Sequence, residues 1–208
     1  MTYFPRTLWH GTSAHLLPMI KKHGLGGRNA MSQLRIMDFI QEAFPHVGFD
    51  DTDFSNPDYM DLLPVQAAVR GGATGMNFEY GDLYVTGGYH KAAIYAQSAP
   101  ELVSFAKTII EIGRRESNNA IEDALADFPD AKDFLGLSYA PIVLKLPKLP
   151  IDRVEDERGC PLTFSDMLED RVSEAKMSQR AFRVKGVVPF NELEVIEVEK
   201  ATINDVAQ

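Results

Sequence analysis

Basic residues, cysteine and long apolar runs are what this 208-residue sequence has least of. Lys and Arg number 21 against 30 Asp and Glu, a formal net charge of −9. Non-specific affinity for nucleic acid comes from clustered Lys and Arg, so a broad phosphate-binding face is not expected. The acidic residues gather in FDDTDFSNPDYMD (49–61) and IEDALADFPDAKD (121–133), which read as solvated loop or helix faces. The single cysteine, Cys160, excludes an internal disulfide and fits a reducing compartment. Flanked by Gly159 and Pro161, with no His–Cys pattern around it, it reads as a bystander. No run approaches the roughly eighteen apolar residues of a membrane span. MTYFPRTLW has neither a basic n-region nor an apolar h-region. No signal peptide, no membrane partner and a cytoplasmic location are therefore expected.

Apolar residues make up 45% of the chain and charged residues 25%, ordinary values for a folded protein with one core. RTLWH (6–10) reads as a short strand that runs into Gly-Thr-Ser, with Ser13 as a helix cap and Gly24 as that helix's end. MSQLRIMDFIQEAF (31–44) spaces Leu34, Met37, Ile40 and Ala43 for a helix. From 45 to about 75, Pro, Gly, Asp and Asn predict an irregular insertion in a single 1–208 domain, with one helical turn near 62–70. FEYGDLYVT (78–86) is the strongest strand signal, and GGYHKAAIYAQ (87–97) reads as a turn into a short helix. Ser98 and Glu101 have capping-box spacing ahead of a helix that carries Leu102, Phe105, Ala106, Ile109, Ile110 and Gly113 on one side. Further helices are expected at 119–135 and 161–175, and strands at 140–147, 180–186 and 192–199. Strands and helices mix without regular alternation, which points to α+β with a mostly antiparallel sheet.

His10, His15 and His23 do not have the spacing of a closed zinc site, and no cysteine or placed carboxylate completes one, so no metal is expected. GLGGRN (24–29) offers glycine N–H groups and Arg28 to an anion, but it follows a helix instead of opening one after a strand.

Three stretches in order are more specific: His-Gly-Thr at 10–12, Leu-Tyr-Val-Thr at 83–86 and Ala-Ala-Ile-Tyr-Ala at 92–96. Together they resemble the NAD-dependent ADP-ribosyltransferase superfamily, in its His-Tyr-Glu branch with the poly(ADP-ribose) polymerases and diphtheria-type toxins. The resemblance covers about half the chain. It implies a split antiparallel β-sheet core with peripheral helices, and NAD as co-substrate. It also implies transfer of ADP-ribose to an acceptor, which the sequence does not identify as protein, nucleic acid or small molecule. Carried over residue by residue, His10 holds the adenosine ribose, Gly11 lies beside the nicotinamide amide, Thr12 beside that amide or the ribose, and Tyr84 and Tyr95 stack on the two faces of the nicotinamide. Arg28 lies near the diphosphate. At the place of the family's glutamate this chain has Gln179, with Glu174 the nearest acid upstream. A carboxylate opposes the positive charge that develops at the sugar carbon. Gln accepts the same hydroxyl hydrogen bond but supplies no charge and no base. Three readings follow: Glu174 is catalytic, Gln179 serves in its place, or the chain binds NAD or a related nucleotide without turning it over.

Overall fold

The computed structural model describes residues 2–71, 82–162 and 178–198, which fall into two compact units. One unit comprises Met1–Arg28, Gly81–Ser98 and Tyr139–Gln208 and carries the sheet. Its strands are β1 (Trp9–Ser13), β2 (Leu83–Thr86), β3 (Pro141–Lys145), β4 (Val154–Asp156), β5 (Ala181–Val184) and β6 (Glu194–Glu197). They lie in the order β4-β5-β2-β1-β3-β6, and every neighbouring pair is antiparallel. The chain is α+β with an open antiparallel sheet.

The ladder is uneven. β1 pairs with β3 along its whole length, from Trp9↔Lys145 to Ser13↔Pro141. Among the described residues it meets β2 at one residue pair, Trp9↔Thr86. β2 in turn pairs fully with β5, from Leu83↔Val184 to Thr86↔Ala181. The sheet is thus two well-paired halves joined at one rung.

The first strand lies three residues later than its composition suggests. Leu8 is buried outside the strand, whereas His10, Gly11 and Thr12 pair with Leu144, Val143 and Ile142 of β3. The ladder with β3 overrides the weak local preference of glycine. Ser13 does cap the turn at Ala14–Leu16, accepting from the His15 amide at 3.4 Å. The following helix, α1 (Leu17–His23), has Pro18 in its first turn, where no amide hydrogen is needed, and ends at Gly24 with φ +76°.

The helix α5 (Tyr89–Gln97) packs on β1 and β3 in the same unit. Its Ala92, Ala93 and Ala96 bury against Val143 and Trp9. Small residues let the backbones come close. A Cβ on Gly11 would lie 2.0 Å from the Ala92 carbonyl oxygen and 2.7 Å from the Ala96 nitrogen. Pro100 stops α5 from continuing, because the residue before a proline avoids the helical region. On the sheet's other face Phe4 meets Phe182 edge to face at 5.2 Å.

The second unit, Asn29–Tyr80 and Ala99–Ser138, is helical where it is described. The expected helix at 31–44 is two helices, α2 (Ala30–Gln33) and α3 (Ile36–Ala43), separated by Arg35 at φ +54°. The break turns the buried face of α3 to Ile36, Phe39, Ile40 and Ala43. The 45–75 insertion holds a full helix, α4 (Tyr59–Arg70), which accommodates Pro64 in its second turn. Arg70 at its end pairs with Asp51 at 3.1 Å. Next, α6 (Glu101–Arg115) buries Leu102, Ala106, Ile109, Ile110 and Gly113 of the expected face but leaves Phe105 part-exposed, and its N-cap is Pro100. The Ser98–Glu101 capping box therefore does not form, since the helix begins two residues beyond a Ser98 cap. The 119–135 helix divides into α7 (Asn119–Ala126) and α8 (Pro129–Leu135), because Pro129 starts a new first turn. The expected helix at 161–175 lies outside the described residues, apart from its first two positions. Among the described residues no helix is long and apolar enough to cross a membrane.

Candidate functional site

Where β1 and β2 part, a cleft opens on the sheet. Trp9, His10, Gly11, Tyr84, Val85, Thr86, Tyr95, Glu157 and Ala181 line about 250 Å³ of space. That is below the roughly 300–1,000 Å³ of sites that enclose a drug-sized ligand.

Each wall follows from local structure. In β2, Leu83 and Val85 alternate into the core opposite Val184 and Phe182, which turns Tyr84 outward. Tyr84 is 41% exposed and sits in register with Arg183 of β5. Tyr95 comes from the last turn of α5 and is 52% exposed. Both rings therefore leave about half their surface open at the cleft. Trp9 also lines the cleft and meets Tyr89 of α5 edge to face at 5.5 Å.

His10 fills the gap in the ladder. Its Nδ1 lies 2.8 Å from the Tyr84 carbonyl oxygen, an acceptor that a continued β1–β2 ladder would have used. A carbonyl only accepts, so Nδ1 carries the hydrogen and Nε2 of the neutral ring is left as an acceptor. Burial lowers the His10 pKa below its ordinary 6.5 by disfavouring the imidazolium, and the Tyr84 hydrogen bond offsets part of that shift. The site therefore presents a fixed, neutral hydrogen-bond acceptor.

Lys91 and Tyr95 are four apart on α5 and share a side, with the Lys91 ammonium 5.6 Å from the Tyr95 ring centre. The same ammonium donates to the Gln179 carbonyl oxygen, tying α5 to the segment before β5. Thr86 holds the opposite corner: its hydroxyl donates to the Gly88 carbonyl at 2.8 Å.

Sequence reasoning named His10, Gly11, Thr12, Tyr84, Tyr95, Arg28, Gln179 and Glu174. The structure brings His10, Gly11, Tyr84 and Tyr95 to one cleft. Thr12 is buried in β1, and Arg28 lies exposed on the loop after α1; neither is among the described cleft residues. Gln179 is exposed, two residues before β5, and Ala181 rather than Gln179 lines the cleft. Glu174 lies outside the described residues. Glycine at 11 is required by the closeness of α5, whatever else its backbone contacts. No group of three metal-ligating side chains occurs among the described residues.

Three contributors were not anticipated. Trp9 was visible as a strand residue but carried no chemical signal. Lys91 is one lysine in an ordinary helix. Glu157 follows β4, whose three residues, Val-Glu-Asp, are too short and too acidic to signal a strand.

No family model, curated protein or solved structure matches this chain, so its site is read from its own residues.

Proposed function

We propose that the chain is an NAD-dependent ADP-ribosyltransferase. It would cleave the bond between nicotinamide and ribose and pass the ADP-ribose to an acceptor. What supports the reading most is that His10, Tyr84 and Tyr95, 85 positions apart at the extremes, converge on one cleft. A cleft with two half-open tyrosines suits a flat cationic ring, by stacking and cation–π attraction. The free Nε2 of His10 suits a ribose hydroxyl, which donates to it. An antiparallel sheet parted between two central strands agrees with the split core that the resemblance implies.

The chemistry balances without an outside oxidant or reductant. The C1′–N1 bond breaks with its electron pair on the pyridinium nitrogen, so nicotinamide leaves neutral. The acceptor's lone pair forms the new bond to C1′, and its proton is released. The transition state is dissociative, with positive charge on the sugar, as in glycoside hydrolysis. Holding the ring between aromatic faces orients the stretching bond.

A second reading is favoured by one observation: Gln179, at the place of the family's acid, is uncharged and exposed. On that reading the cleft binds NAD or a related nucleotide without cleaving it. Incubation with NAD separates the two. Release of nicotinamide, lost in His10→Ala and Tyr84→Ala, is expected of the transferase. Saturable binding with no release under any acceptor supports the binding module, and absence of binding refutes both.

A further inference from the structure

We infer that Glu157 is the carboxylate of the cleft, contacting the ribose of the bound nucleotide and receiving the acceptor's proton. The inference rests on the proposed transferase reading and replaces both Gln179 and Glu174 in the acidic role.

Three observations carry it. First, Glu157 is the acidic residue among those lining the cleft, which it shares with His10, Tyr84 and Tyr95. Second, the carboxylates near it are already engaged. Glu155 accepts from Arg183 at 2.6 Å and pairs with Lys185 at 3.1 Å. Asp82 pairs with Arg183 at 3.0 Å. Among the described residues the Glu157 carboxylate has no hydrogen bond or ion pair, although its position is exposed. A carboxylate free of partners keeps its acceptor capacity for a ligand.

Third, its backbone is held. Asp156 Oδ1 accepts from the amides of Arg158 at 2.9 Å and Cys160 at 2.7 Å. The Asp156 amide donates to the Cys160 carbonyl at 2.9 Å, and the Gly159 amide to the Asp156 carbonyl at 3.0 Å. Gly159, at φ +81°, closes the turn against the Arg183 guanidinium, where a Cβ would lie 2.8 Å from it. The residue between these anchors is Glu157, so it projects from a fixed turn and not from a loose loop. Fixed charge placed where charge develops is the arrangement that stabilises a transition state.

The step is simple to balance. As C1′–N1 breaks, positive charge on the ribose is opposed by the Glu157 carboxylate. As the acceptor bonds to C1′, its proton passes to that carboxylate and then to water. Gln at 157 can do neither.

Trp9 makes binding and turnover separable. It is the single tryptophan of the chain and lines the cleft, so its emission reports NAD binding directly. The test titrates NAD into wild type, Glu157→Gln and Glu157→Asp, reading Trp9 emission, and measures nicotinamide release from the same samples. The expected result is NAD-dependent quenching in all three, release lowered about 10²–10⁴-fold in Glu157→Gln, and partial recovery in Glu157→Asp. Wild-type release from Glu157→Gln overturns the assignment alone, and a raised rate in Gln179→Glu would then put the acid beside β5. Quenching without release from wild type also overturns it. No quenching in wild type overturns the transferase reading and the assignment with it.

Discussion

Replacing Gly11 by alanine tests how the cleft is held together. The new methyl group would stand 2.0 Å from the Ala92 carbonyl oxygen, where ordinary van der Waals contact begins at 3.4 Å, a deficit of about 1.4 Å. The obstacle is the backbone of α5 at Ala92 and Ala96, so no side chain can swing away. Either α5 lifts off β1 or β1 bows out of its ladder with β3. Overpacking of this kind costs about 1–3 kcal/mol, which for a chain of this length lowers Tm by roughly 2–12 °C. The functional loss should be larger in proportion. Tyr95 rides on α5 and His10 precedes Gly11, so the shift separates two walls of the site. Misplacement by about 1 Å can cost on the order of 10²-fold in rate. Thermal melts followed by circular dichroism measure the first effect, and NAD titration against Trp9 emission measures the second. Gly136→Ala is the control: its backbone is helical at φ −73° and its Cβ would meet nothing closer than 3.4 Å. It should gain about 0.4–1 kcal/mol. A Gly11→Ala protein with wild-type melting and wild-type NAD binding would refute the packing of α5 described above.

Three other outcomes follow from the same geometry. His10 has a folded pKa below its ordinary 6.5, so the unfolded chain takes up more protons between those two values and stability falls as pH drops through that window. NAD affinity should stay level from pH 8 to 6.5 and weaken only below the depressed His10 value, where Nε2 gains a hydrogen; affinity already falling at pH 7 would contradict a neutral ring. Glu155 is held below its ordinary 4.5 by hydrogen bonds from Arg183 and Lys185, so its stabilisation is present at neutral pH and lost as pH falls from 4.5 through the folded value. Glu155→Gln should lower the urea midpoint at pH 7 and flatten its decline between pH 5 and 3, and an unchanged profile would remove Glu155 from the network. Asp156→Ala should free the 156–160 turn and cut nicotinamide release with little change in NAD binding, while Asp156→Asn, which keeps the accepting oxygen, should restore it.

The sheet's class was legible because LYVT, PIVLK and AFRV carry β-branched and aromatic residues in short runs. The bounds of β1 were not, because what makes His-Gly-Thr extended is its partner Leu144-Val143-Ile142, at least 130 positions away. The Arg35 break was hidden too: a non-glycine residue at positive φ has no compositional mark. In the site, His10, Tyr84 and Tyr95 were found through the order of three motifs, whereas their convergence depends on a sheet that pairs β1 with β2 at one rung. Glu157 escaped notice because its place is set by Asp156 side-chain bonds and by Gly159 against Arg183, contacts that leave no periodicity to read.

A crystal structure of the protein with NAD bound, or with a non-hydrolysable analogue, addresses the central claim most directly. The account predicts the pyridinium ring between Tyr84 and Tyr95, a ribose hydroxyl donating to His10 Nε2, and the Glu157 carboxylate beside the nicotinamide ribose. A nucleotide bound elsewhere, with the space between the two tyrosines left to solvent, would contradict it.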